Sequence, residues 1–66
     1  MNDASMKKLL AAGFRIIRCA DFPTIRIKEY TGLKCTWKSV EDKFPSKVAR
    51  NRRFVELLKD PKIVED

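Results

Sequence analysis

The sequence predicts an α+β domain in the order α-β-β-β-α: a short N-terminal helix, a three-stranded antiparallel sheet, and a C-terminal helix packed on one sheet face. Two observations carry most of this. Between Thr24 and Val40, Ile25, Ile27, Leu33, Cys35 and Trp37 share one parity, while Arg26, Lys28, Lys34 and Lys38 share the other with Thr24, Tyr30 and Thr36. A period of two with apolar residues on one side is the pattern of half-buried antiparallel strands, so one face is dry and the other basic. From Lys47 to Asp60 there is no Gly or Pro, and Ser46 after Pro45 supplies a capping oxygen, which is how a helix begins.

The 66 residues make a single small domain, 1–66, with residues 1–5 and 62–66 expected to fray. A chain of this size hides only about 60% of the surface its unfolded form exposes, so its margin of stability is small. The composition is that of a folded chain: 44% apolar, four Phe, one Trp, and only two Gly and three Pro.

The elements follow in order. Asp3 or Ser5 caps a helix over Met6 to Ala12, and Gly13 takes positive φ so that Phe14 folds back on Leu9 in a Schellman stop. Phe14 to Cys19 is a first strand whose facing stays ambiguous, because Ile16 and Ile17 are adjacent and alternation is lost. Pro23 ends it, having no ladder donor. A second strand runs from Thr24 to Glu29. A three-residue loop, Tyr30-Thr31-Gly32, keeps the apolar parity on one face and puts Gly32 where such loops need a left-handed residue. That register pairs Ile27 with Cys35, Ile25 with Trp37, Lys28 with Lys34 and Arg26 with Thr36. In the last helix Val48, Phe54, Val55 and Leu58 form the docking arc, with Asn51 at its edge bonding backbone. Lys62 to Asp66 either adds an extended piece beside a sheet edge or trails in solvent.

Chemistry is sparse. There is no His, no glycine-rich phosphate loop and no C-x-x-C spacing, so neither an enzyme nor a metal site is expected, and no cofactor or small-molecule substrate is implied. The carboxylates Asp21, Glu29, Glu41, Asp42 and Glu56 are dispersed and read as partners of surrounding cations. Cys19 and Cys35 read as small buried hydrophobes. The run Met6 to Phe14 has the outline of a secretory leader, but it stops at Arg15 without a small-residue cleavage site. No span approaches the roughly 20 apolar residues of a membrane helix. A reducing cytoplasm and no membrane partner are the expectation.

The net charge of +6 favours polyanions. Like charges directly opposite each other cost a sheet some tenths of a kcal/mol, so the expected Lys28 and Lys34 pair points to an anion on that face. The expected nucleic-acid contacts are Arg18, Arg26, Lys28, Lys34 and Lys38, with Tyr30 at the hairpin tip as a stacking ring. A three-stranded cationic sheet with Trp in the third strand, then Phe44-Pro45-Ser46 leading into an Arg-containing helix, resembles the AP2-type and integrase arm-type DNA-binding domains. The resemblance covers Thr24 to Leu58 and implies that an open sheet face meets the major groove, through Arg26, Lys28, Lys34 and Lys38. The chain lacks the Trp-Gly spacing of the plant members, and no recombinase domain follows. Phe44 to Asp60 also looks like short uncharacterised bacterial or phage proteins, which implies no function. The alternative is a protein-interaction or self-associating module, a homo-oligomer joined through Phe54 and Leu57 or through a sheet edge.

Overall fold

The computed structural model describes residues 2–33 and 36–66. Among them the elements run α1 (Asp3–Ala11), β1 (Arg15–Ala20), β2 (Arg26–Tyr30), β3 (Trp37–Glu41), α2 (Lys47–Leu58) and β4 (Ile63–Glu65). The α+β class stands, but the sheet has four strands rather than three. Its order is β3-β2-β1-β4, antiparallel except that β4 runs parallel to β1.

The cap of α1 is Asn2 rather than Asp3 or Ser5: its Oδ1 accepts the Ser5 N–H at 2.8 Å. The Schellman stop forms as the sequence predicts. Gly13 has φ +90°, its N–H donates to the Leu10 carbonyl at 3.0 Å, and the Phe14 N–H donates to that of Leu9 at 2.9 Å.

β1 explains its own blurred alternation. Ile16 and Ile17 are 0% and 1% exposed because they face opposite helices. Ile17 packs with Ile27, Phe54 and Ile63 on the α2 side, joined by Cys19, Phe44, Leu57 and Leu58. Ile16 packs with Met6 and Tyr30 on the α1 side, joined by Leu9, Leu10, Trp37 and Val64. The sheet therefore lies between two helices, where the sequence reading has a helix on one face alone. The closing segment takes the edge position: Arg15 N–H donates to the Lys62 carbonyl at 2.7 Å and Asp66 N–H to that of Ile17 at 2.9 Å.

The expected register of the second hairpin is not the one formed. Tyr30 pairs with Trp37, Glu29 with Lys38, Lys28 with Ser39 and Ile27 with Glu41, with an irregularity between Ile27 and Lys28. Lys34 and Cys35 lie outside the described residues, and Ile25 precedes β2. Arg26 pairs with Ala20 of β1, not with Thr36. β2 runs through Tyr30 and β3 starts at Trp37, so the expected three-residue loop Tyr30-Thr31-Gly32 does not form; Thr31 N–H donates to the Thr36 carbonyl at 3.2 Å. The physical reason lies at the two ends of the pair. At one end Tyr30 and Trp37 sit side by side under α1, ring centroids 5.4 Å apart. At the other, the bulge brings Glu41 onto the face of Ile27, where Arg53 Nε of α2 donates to it at 2.7 Å.

α2 begins at Lys47 as predicted, with Ser46 Oγ accepting the Ala49 N–H at 3.1 Å. Its docking arc differs. Arg50 is buried with Phe54, Leu57 and Leu58 pack inward, and Val48 and Val55 are left 60% and 59% exposed. The valines lie about 125° round the helix from the centre of the docked stripe. Arg50 sets this rotation: Nη1 donates to the Ala20 carbonyl at 3.0 Å and to the Asp21 carboxylate, and Nε donates to Asn51 Oδ1 at 3.2 Å. Asn51 is thus exposed and bonds a side chain instead of backbone.

Tyr30 tests this architecture directly. It is 2% exposed and donates its hydroxyl to Asp3 Oδ1 at 2.6 Å, which ties β2 to α1. Tyr30→Phe is expected to cost about 1–2 kcal/mol in urea unfolding, with amide exchange faster in α1 than in α2. An exposed hairpin-tip tyrosine would give a change within about 0.5 kcal/mol.

Candidate functional site

Residues paired across strands project to one face, so the register sorts the basic side chains. Arg18 of β1 lies opposite Lys28 of β2, which lies opposite Ser39 of β3; Arg26 lies opposite Ala20. These residues share the face of Ile16 and Tyr30. At one end of that face α1 covers the sheet. The part that α1 leaves open carries Arg18, Lys28 and Arg26, each partly exposed.

Each has a distinct setting. The Arg18 guanidinium stands over the Trp37 ring, 4.4 Å from its centroid, and Nη1 lies 3.5 Å from Asp66 Oδ2. Arg26 is held closely: Nη1 donates to Ser39 Oγ at 2.7 Å, Nη2 to Thr24 Oγ1 at 2.8 Å, and Nε lies 3.7 Å from Asp42 Oδ1. Lys28 is half-buried and has no carboxylate partner among the described residues.

The other expected site residues fall elsewhere. Tyr30 is core, not a ring at a hairpin tip, because its hydroxyl finds Asp3 under α1. Lys38 pairs with Glu29 and so projects to the α2 face, moved there by the Tyr30 and Trp37 pairing. Lys34 lies outside the described residues. Sequence parity missed Arg18 as the cross-strand neighbour of Lys28, because it weighed only the second hairpin.

The five dispersed carboxylates are cation partners, as the sequence predicts: Asp21 of Arg50 and Lys47, Glu29 of Arg15, Glu41 and Glu56 of Arg53, and Asp42 of Arg26. Burial pushes the Cys19 thiol up, away from the reactive thiolate. Among the described residues there is no group of three His, Cys, Asp or Glu placed to hold a metal ion, and no helix is long and apolar enough to cross a membrane.

The loop from Asp21 to Ile25 joins the two strands of the cationic pair and is pinned at both flanks. Asp21 accepts from Arg50, with Lys47 Nζ 3.4 Å away. Thr24 donates its hydroxyl to Asp42 Oδ1, which also accepts the Lys43 N–H at 2.6 Å. Between these pins Phe22 is 87% exposed. Hydrogen bonding from Arg50 holds the Asp21 carboxyl below the usual carboxylate range; the Thr24 hydroxyl and the Lys43 N–H do the same for Asp42.

Compared with family models, with curated proteins and with solved structures, the chain has no significant match in any of the three.

Asp21 and Asp42, the two carboxylates that pin the loop, titrate below their unfolded values. Their contribution to stability is therefore present above about pH 4 and is lost as pH falls through the depressed folded values. Asp21→Asn is expected to lower the urea midpoint at pH 7 and to flatten its decline between about pH 4 and pH 2. Equal pH slopes for the variant and the parent would rule out this role.

Proposed function

We propose that the protein is a non-enzymatic nucleic-acid-binding module whose contact surface is the open part of the sheet face carrying Arg18, Lys28 and Arg26. The observation that carries this reading is the Arg18 and Lys28 pair. Two like charges stand directly opposite on the two central strands, an arrangement that costs a sheet some tenths of a kcal/mol. A phosphate lying across both turns that repulsion into attraction. Arg26 extends the cationic surface toward the β1 to β2 loop. Tyr30 and Lys38 are not part of it.

Contacts to three phosphates give a slope of log affinity against log salt of about −2 for a single strand and about −2.7 for a duplex. Lys28→Glu is expected to stabilise the free domain by a few tenths of a kcal/mol, because it replaces a like pair with an opposite one. The same change should weaken binding about tenfold or more at low salt, and Lys38→Glu should weaken it less. Salt-independent association, or none in low salt, sinks the proposal.

A second reading, self-association, draws support from α2. Val48 and Val55 are exposed and line a shallow groove with Asn51, Arg52, Glu56 and Lys59. An antiparallel pairing of two copies lays Val48 of one against Val55 of the other. Phe54 and Leu57, the residues expected from sequence, are packed in the core. On this reading Val55→Glu converts a concentration-dependent sedimentation coefficient into that of a monomer; a monomer at every micromolar concentration excludes it.

A further inference from the structure

We infer that the nucleic acid taken by this face is a single strand rather than a duplex, and that Phe22 is the ring on which one of its bases stacks. This rests on the proposed use of the Arg18, Lys28 and Arg26 surface.

The first ground is steric. α1 lies on the same face as the cations, its Met6, Leu9 and Leu10 packed with Ile16, Tyr30, Trp37 and Val64. A helix with its side chains is about 10 Å across, so it rises beside the Arg18 and Lys28 pair as a wall. The open sheet face that groove insertion needs is interrupted. A duplex is stiff over about 50 nm and is held off by that wall, whereas a single strand bends to lie along the open part.

The second ground is Phe22. The strands rise about 3.4 Å per residue, so the Ala20 and Arg26 pair lies about 7 Å from the Arg18 and Lys28 pair, and the loop bearing Phe22 begins immediately beyond it. A strand whose phosphates follow the cations in that direction arrives at the loop. There it meets an aromatic side chain that is 87% exposed. A cationic track that ends on an exposed ring is the arrangement by which proteins hold single strands without reading sequence, since every base has a face to stack.

The third ground is that the ring's backbone is held in advance. Asp21 is fixed by Arg50 and Lys47, and Thr24 by Asp42 and Arg26. Little loop freedom is lost on binding, so more of the stacking energy appears as affinity.

The test is fluorescence anisotropy at low salt with a labelled oligo-dT of about 12 nucleotides, and with its oligo-dA duplex, on the full chain. The parent is expected to bind the single strand more tightly than the duplex. Phe22→Ala should lose about 5- to 100-fold in single-strand affinity, with duplex binding and the salt slope unchanged. Phe22→Trp should keep the affinity, and its added indole emission should be quenched by the single strand alone. The ring is exposed, so both variants should unfold at the parent's urea midpoint. If the parent binds both forms equally, or if Phe22→Ala binds the single strand as the parent does, the inference is overturned while the basic-face reading stands. If the parent binds neither form, the basic-face reading falls and takes this inference with it.

Discussion

The structure depends on one strand that is buried on both sides. β1 places Ile16 against α1 and Ile17 against α2, each almost wholly out of water, and β4 closes the strand's remaining edge. A strand covered on both faces reads as a continuous apolar run, without alternation. Two half-cores then share one backbone. For 66 residues this is an efficient way to bury surface, since every apolar residue of the strand contributes. The cost is that neither helix has a large core of its own, so the Tyr30 hydroxyl, Arg50 and Arg53 complete the attachment by polar contacts.

That constraint also shapes the surface. α1 must cover Ile16, so it occupies the end of the face that carries Ile16, Tyr30 and Trp37 and leaves the other end bare. The cations of β1 and β2 gather at the bare end. On the opposite side Arg50 pins the rotation of α2 by reaching the end of β1, and the valines that a helical wheel would dock are turned outward. The same arginine anchors the loop that presents Phe22. One buried guanidinium thus links the orientation of α2 to the shape of the candidate site.

Local chemistry was legible in the sequence except at the start of α1, where Asn2 took the cap expected of Asp3 or Ser5; long-range pairing was not. The Gly13 stop and the Ser46 cap depend on residues within one turn, and both formed as expected. The register of β2 and β3 depends on which helix a tyrosine lies under, and no period of two contains that information. Once Tyr30 takes its place beneath α1, Trp37 follows it, Lys38 changes face and a bulge restores Glu41 to Arg53. Ile16 and Ile17 held the clue: two adjacent buried isoleucines require two covered faces. Phe22 left no signal, because a single exposed ring in a loop breaks no pattern.

The expected pairing of Lys28 with Lys34 did not form: across the second hairpin Lys28 faces Ser39, and its like-charged neighbour is Arg18 of β1. The sequence reading set Lys28 against Lys34 across a hairpin edge; the fold sets it against Arg18 between the two central strands. The exchange strengthens the physical case. An edge strand can twist away and relieve repulsion, whereas β1 and β2 are held at fixed spacing by neighbours on both sides. Asp66 and Trp37 temper Arg18, and Asp42 and Ser39 tether Arg26. Lys28 stands between them with no carboxylate among the described residues. A central sheet position beside a second cation is a costly place for a lysine with no carboxylate beside it, and that cost is the physical basis of the proposed anion site.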